Sequence, residues 1–190
     1  MTKERLEAFT DGVIAILITI MVLELRPPEG TTPAALRPLV PLFLAYVLSF
    51  AYLGIYWTNH HHMLRVVERV NGTVLWANLL LLFWLSLVPF ATWWMGKNHF
   101  ASWPTAVYGG ILLMAAVSYH VLQNTLVALQ GPDSLLARAT TRSAKERASE
   151  LCYVAAIPLA FVSPWISDAL FVTVALIWIV PDRRIEAQVE

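Results

Sequence analysis

The sequence predicts an all-α integral membrane protein: a single domain, residues 1–190, with six transmembrane helices. Three observations predict it. Hydrophobic residues make up 58% of the chain and charged ones 14%, where a soluble domain carries roughly 25% charged. Apolar runs recur along the chain at the length of about 20 residues that a hydrocarbon core about 30 Å thick demands of a helix. The 13 Lys and Arg residues fall unevenly between the segments that join those runs.

The first span covers about 7–25 and stops at Pro27-Pro28-Glu29-Gly30, which cannot continue a helix. Lys3 and Arg5 ahead of an apolar stretch imitate a signal peptide. Asp11 opens that stretch, however, and no small-x-small cleavage site precedes Pro27, so the segment reads as a retained span. The second span, about 39–63, is entered through Pro38 and Pro41. The third covers about 72–95, with Pro89 set to kink its far end, and the fourth about 104–130, with Pro104 suited to a first helical turn. The last apolar block, 151–180, is long for one span and short for two. Pro158 and Ser163-Pro164 divide it into helices of about 147–163 and 166–181, the alternative being one tilted, kinked helix. Residues 131–147, the one sizeable polar segment, read as a loop or helical extension.

With six spans both termini share a side. That side collects Lys3, Arg5, Arg65, Arg69, Arg138, Arg142, Lys145, Arg147, Arg183 and Arg184, against Arg26, Arg37 and Lys97 on the other. The positive-inside rule makes both termini cytoplasmic. Trp93, Trp94, Trp103 and Trp165 then gather as a belt at the outer interface.

Several function classes are disfavoured. A zero net charge with no basic arm argues against nucleic acid as a partner. One cysteine, Cys152, gives neither a disulfide framework nor a thiolate metal site. No nucleophile–base pair, phosphate-cradling glycine loop or intramembrane carboxylate pair is visible, so the chain does not read as an enzyme, and no cofactor is implied. No internal repeat appears, and the length is small for an alternating-access transporter but suits one subunit of a ring.

The first helix is the informative element. It carries Asp11 into its own apolar run, where an aspartate at the bilayer centre costs roughly 2.5–3.5 kcal/mol on insertion scales. At about 100° per residue, Phe9, Gly12, Ile16, Thr19, Ile20 and Leu23 share one face, and Asp11 lies about 140° around from Ile16. Around a symmetry axis, Ile16 and Leu23 would form apolar rings about 10 Å apart with a ring of Thr19 hydroxyls between them. Hydrophobic constrictions gate by dewetting, and a dehydrating ion needs oxygen ligands. Ordinary helix packing, in which small and hydroxylated residues are common, explains the same stripe.

Arg5 lies about 120° around the helix from Asp11, whereas Glu7, four residues before it, repels it. Asp11 therefore needs a partner from elsewhere. The second helix ends in Tyr56-Trp57-Thr58-Asn59-His60-His61-His62-Met63 at the same depth, and His60, sharing a face with Trp57, is the natural donor. Consecutive histidines point in different directions, so no metal site is expected of them. Asn78, Ser86, Ser118, His120, Gln123, Asn124 and Thr125 are scattered along the spans and read as interhelical hydrogen-bonding residues.

Arg5-x-x-x-Phe9-Thr10-Asp11-Gly12, continuing through Ala15-Ile16 to Thr19 and Leu23-Glu24, resembles the first-helix signature of the transmembrane protein 175 family of potassium channels. Ser49-Phe50, Trp57-x-x-His60, Trp76-x-Asn78 and Pro89-Phe90 resemble the same family, and Thr10 stands where it usually has Ser. The resemblance covers the first three helices; the last three match in hydropathy and number. It implies a homotetramer of single-repeat chains in a bacterial cytoplasmic membrane, with the first helices lining the pore. It also implies that Ile16 is the main hydrophobic constriction, Thr19 a hydroxyl layer and Leu23 a further apolar ring. Arg5, Phe9, Thr10, Asp11, Trp57 and His60 would form the signature network that fixes the pore helices. The implied activity is a potassium-preferring, leak-type cation channel, with potassium and other monovalent cations as permeant ions. The alternatives are a small proton-linked transporter using Asp11 and a histidine as a relay, and a non-conducting scaffold.

Overall fold

The computed structural model describes residues 2–139 and 144–179. The expected end of the last span at 180–181, and Arg142, Arg183 and Arg184, lie outside the described residues. Those described form an all-helical bundle. Helix α1 spans Lys3–Leu23, and a 3-10 turn, Pro33–Leu39, leads into α2, Val40–Arg65. Helices α3, Gly72–Ser86, and α4, Val88–Lys97, follow, then α5, Ser102–Gln130, and the short α6, Leu135–Ala139. Two helices, α7 (Ala144–Leu159) and α8 (Pro164–Ile179), complete the bundle.

Among the described residues, four segments are long and apolar enough to cross a membrane: Lys3–Leu23, Pro33–Arg65, Gly72–Lys97 and Ser102–Gln130. Helices α7 and α8 have 16 residues each, about 24 Å of helix, shorter than a hydrocarbon core by about a turn. They are separate helices packed on each other rather than one kinked rod. Pro158 sits one residue inside the end of α7, and Pro164 starts α8.

Pro89 does more than kink the third span. Without an N–H it cannot continue the ladder, and α3 ends at Ser86 while α4 restarts at Val88. The break lets α4 leave the line of α3 and pack on α2. Gly96 permits that approach: a Cβ there would lie 2.6 Å from Leu42 Cα. A buried polar knot holds the same place, where the Ser49 hydroxyl lies 2.6 Å from Thr92 Oγ1 and 2.9 Å from Tyr108 Oη. It ties α2, α4 and α5 together. Tyr52 Oη donates to Phe171 O at 2.7 Å and joins α2 to α8.

Most other polar residues of the spans bond within their own helix. Ser86 donates to Phe83 O, Ser118 to Met114 O and Thr125 to Val121 O, each at 2.7 Å. A hydroxyl three or four residues past a carbonyl reaches it without a second helix. Asn78 and His120 do cross between helices: His120 Nδ1 lies 2.8 Å from Glu150 Oε1, linking α5 to α7.

Candidate functional site: the first helix and its anchor

Helix α1 has one bolted face and one bare face. Leu6, Thr10, Ile14, Leu17 and Met21 recur every three or four residues and are buried, as a helix stripe that packs against neighbours must be. They face α2, α3 and α4. On the opposite side Phe9 is 49% exposed, Ile16 57%, Ile20 43% and Leu23 73%, so the subunit itself leaves this apolar stripe uncovered. Gly12 lies in the stripe, and a Cβ there would meet nothing within 4 Å. Glycine within a helix is less favourable than alanine by roughly 0.5–1 kcal/mol, and no contact inside the subunit requires it. Thr19 is exposed, and its Oγ1 donates to Ala15 O and Ile16 O at 3.1 and 3.0 Å. With its proton directed at the backbone, the hydroxyl turns lone pairs outward.

Two hydrogen-bonded groups hold the bolted face, side by side. The inner one is buried. Asn78 Nδ2 on α3 donates to Thr10 Oγ1 at 2.9 Å, and Asn78 Oδ1 lies 2.9 Å from His60 Nε2. With the Asn78 carbonyl as acceptor, His60 carries its proton on Nε2. Thr10, Asn78 and His60 are 0%, 0% and 1% exposed, so one amide joins three helices inside the bundle.

The outer group lies at the rim. Trp57 Nε1 donates to Asp11 Oδ1 at 2.9 Å. One turn away His61 Nδ1 lies 2.9 Å from Glu7 Oε1, and the His61 ring stacks on Trp57 at 6.3 Å. Glu7 and Asp11 are four residues apart on α1, as Trp57 and His61 are on α2. The two helices run antiparallel, so each member of one pair meets a member of the other. The repulsion expected between the two carboxylates is offset because each has a partner on α2.

The expected bond from His60 to Asp11 is therefore replaced. His60 turns inward to Asn78, and the indole one turn earlier takes Asp11. Neighbouring residues on a helix diverge by about 100°, which separates Thr10 from Asp11 and His60 from His61 and produces two groups rather than one. Arg5 is exposed, with no hydrogen bond or ion pair to another described residue. Phe9 lies on the bare face. Asn78, the centre of the buried group, was legible as one scattered amide and as part of the Trp76-x-Asn78 resemblance, but not as the partner of Thr10 and His60. Its signal is an amide inside the otherwise apolar Leu75–Leu85 stretch, at the depth of Thr10 and His60.

The geometry defines a multi-pass α-helical membrane protein whose first helix is pinned along one side and bare along the other. A family model described as "Endosomal/lysosomal potassium channel TMEM175" matches residues 5–89, which contain both hydrogen-bonded groups. A protein named a potassium channel in a Chryseobacterium species is 54% identical over 186 residues, 98% of this chain and 97% of its own. Another, from Chamaesiphon minutus, is 32% identical over 90% of this chain and 91% of its own. The mouse protein named endosomal/lysosomal proton channel TMEM175 is 36% identical over 103 residues, 21% of its length. The crystal structure of a lysosomal potassium-selective channel TMEM175 homologue from Chamaesiphon minutus matches with a TM-score of 0.82 at 30% identity, over 94% of this chain and 96% of that one. The chain belongs to the TMEM175 family.

Proposed function

We propose that this chain is one subunit of a potassium-preferring, leak-type cation channel, a homotetramer whose pore is lined by four copies of α1. The observation that carries the reading is the contrast between the two sides of α1. A lipid-facing helix needs no glycine and no exposed threonine among its apolar residues. A helix that approaches copies of itself around an axis can use both, since small residues let backbones come close.

In this reading Ile16 forms the constriction, where a branched apolar ring holds few waters and an ion must shed part of its shell. Thr19 offers outward lone pairs one turn further on, and Leu23 closes a second apolar ring. The Thr10–Asn78–His60 and Asp11–Trp57 bonds set the rotation of α1 about its own axis, and so decide which residues face the axis. Phe9 packs between subunits, and Arg5 finds its partner across a subunit boundary. Helices α7 and α8 make the fifth and sixth crossings, where the bilayer thins locally to match short helices. Both termini face the cytoplasm of a bacterial cell, following the basic residues. Relatives of nearly the same length named potassium channels support potassium as the ion.

The Asp11–histidine relay of a proton-linked transporter gains no support. Asp11 bonds an indole, and His60 bonds an amide that cannot take up a proton and pass it on.

The test is flux into liposomes holding the purified chain, with potassium or sodium as the sole permeant cation. Potassium flux well above sodium flux, without a coupling ion, supports the channel. Saturable flux that needs a proton gradient would support the transporter, and absence of flux a scaffold.

A further inference from the structure

Helices α5 and α8 lie side by side and run the same way. Trp103 near the start of α5 meets Phe161 just ahead of α8, with ring centroids 4.9 Å apart, and Tyr108 meets Phe171 at 5.5 Å. A Cβ on Gly109 would lie 2.8 Å from Phe171 Cζ. About one turn nearer the N-terminal ends are Thr105 on α5 and Asp168 on α8. Thr105 is 0% exposed, and its Oγ1 has no hydrogen-bond partner; both Asp168 carboxylate oxygens are shielded from solvent and have none either. Asp168 is also the only charged residue of α8.

Two orphaned polar groups at one level of two packed helices call for a common explanation. An ionised carboxylate without a partner in apolar surroundings is so unfavourable that such a group neutralises instead. A neutral carboxyl has both a donor and acceptors, as does a threonine hydroxyl, so a protonated Asp168 can both give and take a hydrogen bond at this level, where an ionised one could only accept.

We propose that Asp168, backed by Thr105, is a proton-binding site inside the bundle of each subunit, separate from the groups that anchor α1. Its ligand is the proton itself, held as a carboxylic acid at neutral pH. The titratable groups on the packed helices leave Asp168 without a charged partner. Tyr108 of α5 faces it with its hydroxyl turned to Ser49. Tyr52 of α2 donates to Phe171 O, and Tyr153 of α7 lies against the Phe171 ring, both further along α8. His120, Glu146 and Glu150 gather at the opposite end beside Trp178.

Infrared spectroscopy of the full chain in liposomes tests this without measuring ion flux. At neutral pH we expect a carboxylic-acid carbonyl band that shifts when aspartate is isotopically labelled and disappears in alkaline buffer. The band should be absent in Asp168→Asn, retained in Asp11→Asn and displaced in Thr105→Val. Should Asp168→Asn fail to assemble, Asp168→Glu decides: the acid band persists there but no longer responds to labelled aspartate. The proposal is overturned if no acid band at neutral pH responds to labelled aspartate in the unmodified chain. It is equally overturned if that response survives in Asp168→Asn or Asp168→Glu.

Discussion

Trp57 Nε1 donates to Asp11 Oδ1 at 2.9 Å, so a tryptophan on α2 holds the one acidic residue that α1 carries into its apolar run. An indole can only donate and an ionised carboxylate can only accept, so the two side chains are complementary. The bond runs beside the buried Thr10–Asn78 contact, also 2.9 Å. Together they fix both the depth and the rotation of α1.

Removing the indole donor should loosen that fixation more than removing its bulk. Trp57→Phe keeps an aromatic ring but leaves Asp11 without a donor, at a cost of about 1–3 kcal/mol. Thermal unfolding in detergent should show a lower midpoint than for the unmodified chain. In Asp11→Asn the further loss from Trp57→Phe should shrink, since the bond to a charged group is already gone. Strictly additive losses would show that the two residues do not work as a pair.

Asp11→Asn keeps the shape and removes the charge. It should reduce assembly or open probability, read by size-exclusion chromatography and single-channel recording. Intact assembly with only ion selectivity changed would mean that Asp11 touches the ions.

At the Asn78 junction, Asn78→Leu should destabilise by about 1–3 kcal/mol, because it leaves the buried Thr10 hydroxyl and His60 Nε2 without a partner. Asn78→Asp retains acceptors for His60 but gives up the donor to Thr10, so protonation of His60 or the acid should then govern stability. Its unfolding midpoint should depend on pH more steeply than that of the unmodified chain.

Much of this was legible in the sequence. Hydropathy located the long apolar segments, and the prolines marked their breaks, though Pro89 splits its span into α3 and α4 because a hydrogen bond is lost as well as an angle changed. The Asp11 problem was visible because a carboxylate in an apolar run demands a partner. Its solution was not. Periodicity ranks faces of one helix, whereas the choice between His60 and Trp57 depends on how α2 is rotated against α1, and that is set by α3 through Asn78. Asp168 carries the same signal, a lone carboxylate in an apolar run, but only the structure shows both of its oxygens shielded and without a partner.

On the bare face, Thr19→Val keeps the shape and removes the oxygen. Potassium preference over sodium should fall with little change in pore width, measured by flux or reversal potential in bi-ionic conditions. Ile16→Asn should raise total cation flux and blunt discrimination between the two ions, because a polar ring is wetted more readily.

The most direct measurement of the central claim, that α1 lines the conducting pathway, is thiol accessibility during flux. In a Cys152→Ser background, Ile16→Cys and Ile14→Cys lie two residues apart on opposite sides of the helix, with Ile16 57% and Ile14 1% exposed in the subunit. A charged, membrane-impermeant thiol reagent should block potassium flux through Ile16→Cys and leave flux through Ile14→Cys unchanged. Conduction through Ile16→Cys that the reagent cannot alter, with the cysteine shown by mass spectrometry to be modified, would contradict the account.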